Sequence, residues 1–505
     1  MSPPSSFSRS ADAPADASPT PGTTTGITGE LTAAQTAALR RLVDEAPVVA
    51  SLGHLFSAAG EELALVGGPV RDALLGRLGS DWDFATSAHP DRTKVLLDNW
   101  ADATWDVGRA YGTIGGRKGG DHVEVTTYRS DAYEADSRKP AVAYGDSLAG
   151  DLSRRDFTVN AMALALPSYA FSDLFGGLRD LALGVLRTPV GAEQSFSDDP
   201  LRMLRAARFA AQFGFTVAPD VVTAMTAMAS RIGIVAPERQ RVELEKLLMA
   251  PQPQQGLRLL VDTALATHVL PELPALRLER DEHHRHKDVY EHTLTVLDQS
   301  IELESQRLGG PDLVSRLAAL MHDVGKPRTR RFNPDGSVTF HHHDVVGAKM
   351  TRKRLRALRF PSNVVDDVST LVELHLRFHG YGSGEWTDSA VRRYVRDAGP
   401  LLSRLHVLTR ADSTTRNSRK ATRLRRAYDE LEARIDELAA REELDSLRPD
   451  LDGNQIMALL GIGPSREVGQ AYQFLLERRI QDGPLGEERA AAELLVWWEQ
   501  RQANR

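Results

Sequence analysis

Residues 65–86 read LVGGPVRDALLGRLGSDWDFAT, and this stretch restricts the fold of the chain's N-terminal part more than any other. It reads as a strand, a glycine turn, a short helix and a second strand. That second strand carries Asp81 and Asp83 one residue apart in an otherwise apolar run. In an extended chain residues i and i+2 leave on the same face, so the two carboxylates emerge side by side. Their repulsion is unfavourable unless water or a cation compensates it. Taken alone, an Asp-x-Asp is more often a solvated strand edge than a metal site, because short motifs recur by chance.

The surroundings shift that balance. Two glycines precede a helix start, where a phosphate can approach the backbone and unpaired N–H groups await it. Arg71 lies one turn in, placed to fork onto phosphate oxygens. An anion cradle followed by two same-facing carboxylates is the layout of Mg²⁺-dependent nucleotidyl transfer. One ion would lower the pKa of an attacking 3′-hydroxyl and another would neutralise the leaving pyrophosphate. Glu124, in the strand HVEVTTYR, is the candidate third carboxylate, with a plain surface charge as the equal alternative.

A chain of 505 residues allows about three domains. With 41% apolar and 26% charged residues the composition is that of an ordinary globular protein. No apolar run reaches the length of a membrane span, so no membrane partner is expected. Residues 1–30 are rich in Ser, Pro, Ala and Thr and lack the apolar stretch of a signal peptide, which predicts a disordered tail. The absence of cysteine excludes disulfides and thiolate-ligated metals and fits a cytoplasmic location. A net charge of −7 is weak evidence against a nucleic-acid partner, because phosphate binding depends on local patches. Two basic patches exist: TRKRLRALR at 351–359, and the stretch from Arg404 to Arg426, with eight Arg or Lys against the single Asp412. Either could equally be a solvated helix face.

Short strands and helices alternate from 31 to 190. The polar, glycine-bearing segment 129–151 reads as a loop. Beyond it the apolar period stays near 3.6 almost to the C-terminus, broken by Pro-rich joints near 251 and 271 and by the hairpin-like TRRFNPDGSVTFHHH. The fold class is α+β: a head with a small mixed sheet, then an all-helical neck and body. Within LSRRDFTVNAMAL, Arg154 and Arg155 next to Asp156 read first as a structural ion pair. In DDPLRMLRAARF, Asp199, Arg202, Arg205 and Arg208 recur at steps of three on a predicted helix.

Taken in order, LVGGPVRD, DWD, RRDFTVNA, DDPLRMLRAARF and PERQRVELEKLL resemble the bacterial class II tRNA nucleotidyltransferases, the CCA-adding enzymes of the DNA polymerase beta superfamily, in an actinobacterial-like form. The resemblance spans roughly residues 60–250. It implies a polymerase-beta-like head, Mg²⁺ on Asp81 and Asp83, and nucleotide binding by Gly68, Arg71, Arg155, Arg205 and Arg208. It also implies that Asp199 and Arg202 read the incoming base. One departure is DDPLR where many members carry Glu-Asp; Asp198 keeps the charge. In the body, His292, the pair His322–Asp323 in MHDVGK, and Asp412 resemble the HD phosphohydrolases, and His343 and His375 complete six ligands suited to a binuclear site holding a divalent transition metal. His283, His284, His286, His341 and His342 are expected at the surface and receive no role.

The implied organisation is a tail at 1–30, a head at 31–190, a base-reading and RNA-binding neck at 191–280, an HD domain at 281–425 and a helical tail at 426–505. The implied reaction is template-independent addition of CCA to the 3′ end of tRNA from CTP and ATP, with tRNA as partner and an HD hydrolase activity beside it. Enzymes adding only CC or only A, and poly(A) polymerases, share the head motifs, although poly(A) polymerases lack the HD portion. A protein uridylyltransferase also joins such a head to an HD domain, but that family is longer and carries regulatory domains for which little chain follows Asp412. A catalytically dead RNA-binding protein is disfavoured by the intact Asp81, Asp83 and Arg155. Oligomeric state is not legible.

Overall fold

The computed structural model describes residues 31–132, 141–145, 147–277, 288–335, 337–380, 387–413, 418–442 and 448–503. The chain divides into two compact units, residues 1–183 and 184–505. The expected tail at 1–30 lies outside the described residues.

In the first unit α1 (Ala33–Glu45) and α2 (Pro47–Ala58) precede β1 (Leu63–Val66), α3 (Gly68–Leu74), β2 (Asp81–Thr86), α4 (Pro90–Asp98), β3 (Ala103–Trp105), β4 (Thr113–Lys118) and β5 (Asp121–Thr127). A hairpin of β6 (Arg129–Ala132) and β7 (Ala141–Tyr144) and helix α5 (Leu148–Ser153) lead to β8 (Met162–Leu166), β9 (Phe171–Asp173) and α6 (Gly177–Leu183). Seven strands form one mixed sheet in the order β3-β4-β5-β2-β1-β8-β9. Only β2 and β5 run parallel; the other neighbours are antiparallel. Side-chain alternation splits the core between the two faces. Leu63, Leu65, Trp82, Phe84, Val123 and Val125 pack on one face with α1, α2 and α4. Ala64, Val66, Ala85 and Ala163 turn to the other, where Leu152 and Tyr128 cover them. Asp81 and Asp83 stand on this second face at the exposed start of β2.

The segment 129–151, read from sequence as a loop, instead contains the β6–β7 ladder and α5. Its polar alternation hides a ladder held by backbone hydrogen bonds, which composition does not reveal.

The second unit opens with β10 (Val185–Leu186), which pairs with β11 (Thr216–Val217). Helices α7 (Ala192–Asp198), α8 (Leu201–Phe213), α9 (Pro219–Met228), α10 (Pro237–Leu248), α11 (Pro253–Asp262) and α12 (Ala266–Val269) form the neck. The next group comprises α13 (Val289–Arg307), α14 (Leu313–Met321), α15 (Lys326–Thr329), the expected hairpin β12 (Arg331–Phe332) with β13 (Val338–Thr339), α16 (His343–Ala357), α17 (Ser362–Leu374), α18 (Arg377–Gly380), α19 (Asp388–Ala398) and α20 (Leu402–Asp412). Helices α21 (Ser418–Glu442), α22 (Gly453–Leu460), α23 (Arg466–Asp482) and α24 (Glu487–Ala503) follow. Among the described residues no helix is long and apolar enough to cross a membrane.

One buried ion pair ties the neck to the helices beyond it. Arg316 of α14 is 3% exposed and pairs with Glu304 of α13, itself 2% exposed. Its Nη1 donates to the carbonyls of Leu248 (2.6 Å) and Ala250 (3.1 Å), satisfying backbone left open at the end of α10. Arg316→Met would strand the Glu304 charge and these carbonyls. It should lower unfolding stability by about 3–5 kcal/mol. A denaturant midpoint equal to the parent's would contradict this account.

Candidate active site

Parallel pairing of β2 with β5 sets Asp81 beside His122 and Asp83 beside Glu124. All three carboxylate residues are exposed on one face of the sheet. Burial, and then the charges of Asp83 and Asp81, raise the Glu124 carboxyl above its ordinary value. Burial is the larger cause, and the neighbouring carboxylates add a repulsion that a cation would relieve. Directly across from Glu124 on β4 is Gly115. A Cβ there would stand 2.0 Å from Trp105 Nε1, so the glycine makes room for the indole.

The glycine turn meets this face at one point. Gly67 has φ +74° and ψ −130°, a conformation open in practice only to glycine. A Cβ on Gly67 would lie 2.8 Å from Arg155 Nη1 and 3.9 Å from Asp83 Oδ2. Arg155 is aimed there by Asp151, 3% exposed, which accepts from its Nε at 3.2 Å and Nη2 at 2.9 Å. Within the Arg154–Arg155–Asp156 cluster both arginines pair with Asp151. Gly68, the residue singled out from sequence, begins α3, and the demanding backbone belongs to its neighbour. Arg71 is 5% exposed, with Nε and Nη2 on Asp72 and Nη1 on Asn160 Oδ1 at 2.6 Å. It thus fastens the glycine turn to the RRDFTVNA motif from behind.

In the second unit the row of four charges is not wholly helical. Asp199 caps the end of α7 with an extended backbone, and α8 begins at Leu201. Pro200 disfavours helical dihedrals in the residue before it, which is why the predicted helix starts late. Asp199 Oδ1 accepts from the Leu201 N–H at 3.1 Å, and its Oδ2 pairs with Arg239 at 2.8 Å. Arg202, 8% exposed, donates from Nη1 to Ser195 Oγ at 2.9 Å. Arg208 and Arg205 face Glu243 at 2.8 and 3.6 Å. Arg239 and Glu243 both come from PERQRVELEKLL on α10, so that motif braces the row. Sequence reading missed Arg239, Glu243, Gly67, Asn160 and Trp105. The four-residue step between Arg239 and Glu243 on one helix face was the available signal for the first two.

All six expected body ligands come together. His292 Nε2 lies 2.9 Å from Asp412 Oδ1, His322 Nε2 3.3 Å from Asp323 Oδ2, and His343 Nε2 3.3 Å from Asp323 Oδ1. His292, His322 and Asp412 form one group, and Asp323, His343 and His375 another, with ligand atoms in each within 4.8 Å of one another. His322, His343 and His375 each donate Nδ1–H to the carbonyl three residues earlier, at 2.8, 2.8 and 2.6 Å. This fixes the tautomer that presents Nε2 inward, the usual orientation of metal-bound imidazole. His322 Nε2 is buried without a hydrogen-bond partner. Such an orphan, among imidazoles and carboxylates, fits a divalent cation. Burial pushes His375 down to about 4, keeping it neutral. Burial disfavours a charged His322, but the Asp323 and Asp412 carboxylates outweigh it and raise the imidazole. A cation there would be taken up with release of that proton. His341 and His342 are exposed, as expected; His283, His284 and His286 lie outside the described residues.

The basic patches are partly neutralised. Arg404 pairs with Asp312, and Arg410 with Asp429 and Glu432. Arg354 and Arg359 pair with Glu272 and Glu238. Arg419, Arg423 and Arg425 stay exposed on α21, and Arg416 lies outside the described residues.

Comparison with known proteins accords with this geometry. Residues 63–187 match the family described as the poly A polymerase head domain, 214–276 the probable RNA and SrmB-binding site of polymerase A, and 289–417 the HD domain. The A-adding tRNA nucleotidyltransferase of Deinococcus radiodurans is 35% identical over 446 residues, covering 86% of this chain and 95% of that one. The chain belongs to the tRNA nucleotidyltransferase family. The CC-adding tRNA nucleotidyltransferase of Thermus thermophilus is 34% identical over 87% of this chain and 94% of its own length. Among solved structures, the CCA-adding enzyme of Bacillus stearothermophilus in complex with CTP superposes with a TM-score of 0.62 at 26% identity, covering 92% of this chain and 99% of that one. Membership of this family, with a polymerase head and an HD domain, carries dependence on a divalent metal.

Because Gly67 is the meeting point of Arg155 and Asp83, Gly67→Ala should strain the turn by about 1–3 kcal/mol. It should displace Arg155 and cut nucleotide addition by roughly tenfold or more while the far-ultraviolet circular dichroism stays that of the parent. A folded variant with parental turnover would refute this reading.

Proposed function

We propose that the chain adds C, C and A to the 3′ end of tRNA from CTP and ATP, releasing pyrophosphate, in the cytoplasm. The observation that carries this is the placement of Asp81, Asp83 and Glu124 in register on one sheet face, with Arg155 brought to Asp83 over Gly67. In the reaction the 3′-hydroxyl oxygen of tRNA bonds to the α-phosphorus, the bond from that phosphorus to the pyrophosphate oxygen breaks, and the hydroxyl proton passes to solvent. Asp81 and Asp83, with Glu124 as third ligand, would hold Mg²⁺, which when bound lowers the hydroxyl pKa and offsets charge on the pyrophosphate. Arg155 would bind phosphate oxygens, and the turn at Gly68 would give them backbone access, with Arg71 holding that turn in place. Arg205 and Arg208 extend the nucleotide-binding set, and Arg419, Arg423 and Arg425 offer positive surface to the tRNA backbone.

A second reading is that the chain adds only part of the CCA end, since relatives matched over nearly their whole length are named A-adding and CC-adding. Incubation with tRNA lacking the CCA end and each labelled triphosphate, singly and combined, separates these readings. Complete CCA is expected from CTP with ATP; products stopping at CC, or a single A added only to tRNA already ending in CC, would establish the partial enzyme. In the same assay Asp81→Ala and Asp83→Ala should each abolish addition with tRNA binding retained, and near-normal incorporation by either would overturn the assignment. The family assignment leaves the protein uridylyltransferase alternative without support.

The HD centre is proposed to hold a pair of divalent transition-metal ions on His292, His322, Asp323, His343, His375 and Asp412 for phosphate-ester hydrolysis. When bound, the metal supplies an acidified water; the chain's own part is to fix the six donors and exclude bulk solvent.

Base selection without a template strand is assigned to Asp199 and Arg202. Cytosine and adenine both present an amino donor beside a ring-nitrogen acceptor, which Asp199 can accept from and Arg202 can donate to. Uracil and guanine reverse that order, and each mismatched group costs about 1–3 kcal/mol. Asp199→Ala combined with Arg202→Ala should therefore admit UTP or GTP on tRNA ending at the discriminator base. An active double variant that rejects both as strongly as the parent would show that other residues read the base.

A further inference from the structure

Beside the HD centre is a cavity of about 440 Å³ lined by Arg328, Thr329, Arg330, Arg331, His341 and His342. Its size is within the range of small-molecule sites. Every lining residue offers a hydrogen-bond donor and none carries a carboxylate. Among the described residues, no ion pair involves Arg328, Arg330 or Arg331. Arginines nearby behave otherwise: Arg354 rests on Glu272, Arg404 on Asp312 and Arg410 on Glu432. Three guanidinium groups gathered without a counter-charge repel one another, a cost that an anionic ligand removes. The arrangement is partly preformed. Arg330 lies over the Phe332 ring at 5.2 Å, and pairing of β12 with β13 sets Arg331 opposite Thr339.

The cavity and the metal ligands share two chain segments. In the first, Lys326 reaches inward to Asp323 at 2.6 Å, while Arg328 and Thr329, two and three residues on, line the cavity. In the second, His342 lines the cavity, while His343, the next residue, turns inward to Asp323 at 3.3 Å. His342 achieves this reversal with φ +59°, a left-handed conformation that histidine adopts more readily than most side chains. The cavity and the cluster are thus neighbours along both chain segments.

We propose that this cavity is an oligophosphate site, taking a nucleotide or other small molecule with two or more phosphates: one rests on Arg328, Arg330 and Arg331 and another is presented to the HD centre. The fate of the second phosphate rests on the phosphohydrolase reading given above; binding in the cavity does not.

The test uses the full chain and inorganic tripolyphosphate, titrated calorimetrically into the parent and into Arg328→Ser/Arg330→Ser/Arg331→Ser. These side chains are exposed, so the variant should keep the parent's thermal midpoint and its nucleotide addition to tRNA, which also controls for phosphate binding in the head. The variant is expected to lose one equivalent of tripolyphosphate, or to bind that equivalent about tenfold or more weakly, as loss of charge-assisted hydrogen bonds requires. Equal stoichiometry and affinity in the two proteins would overturn the site. Inorganic phosphate binding as tightly as tripolyphosphate would overturn the oligophosphate class. A short RNA that displaces tripolyphosphate at equal phosphate concentration would reassign the cavity to a nucleic-acid backbone and likewise overturn it. With Mn²⁺ added, water cleaves one P–O–P bridge of tripolyphosphate to give phosphate and pyrophosphate, and the variant should raise KM for this about tenfold with kcat retained. If the parent cleaves nothing, the phosphohydrolase reading fails, while the calorimetric difference still decides the cavity.

Discussion

Carboxylates crowded at close range repel one another, and the framework that holds them there decides much of each unit. In the head the spacing is set by backbone: two adjacent parallel strands in register bring Asp83 and Glu124 together, and the period of two brings Asp81 to the same face. That face can stay open because the opposite side of the sheet packs the larger core. In the second unit the same problem is solved by helix ends. His292 comes from within α13, whereas His322, Asp323, His343, His375 and Asp412 sit at helix termini, with carbonyls three residues back fixing three of the rings. Strands give a ladder of charges on an open surface; converging helices give a closed cage. The first suits a large substrate that must come and go, the second a resident ion.

Arginine serves as the counterpart in both places, and its uses divide by what it touches. Arg71 and Arg316 are buried and spend their donors on acceptors within the chain. Arg155 is held by a buried aspartate against the Gly67 turn that Asp83 also approaches, so its position is determined before any ligand arrives. Fixed geometry of this kind lowers the ordering cost of binding a phosphate.

Much of this was legible in the sequence, and the limits follow physical lines. That Asp81 and Asp83 share one face was legible because strand alternation is rigid. The six histidines and aspartates that the second unit gathers were legible because buried imidazole beside carboxylate is costly without a purpose. Asp199 was misplaced on a helix because a three-residue rhythm looks helical until Pro200 is weighed against it. The special backbone of Gly67 was not legible because only dihedrals tell it from Gly68. The basic stretch around Arg404 and Arg410 looked uncompensated because its partners, Asp312, Asp429 and Glu432, are remote in sequence, and pairing between distant segments leaves no local trace.

The Arg316 clamp has a further consequence for how the second unit moves. Helix α10 carries Arg239 and Glu243, which brace Asp199 and the arginines beside it, and α14 ends at His322 and Asp323. Since Arg316 joins the end of α10 to α14, neither helix can open without exposing an ionised group bred for the interior. Slow amide exchange in the two should therefore rise and fall together, as in a single cooperative block. The braced row around Asp199 and the His322–Asp323 end of α14 thus share one local unfolding equilibrium, and whatever steadies one also steadies the other.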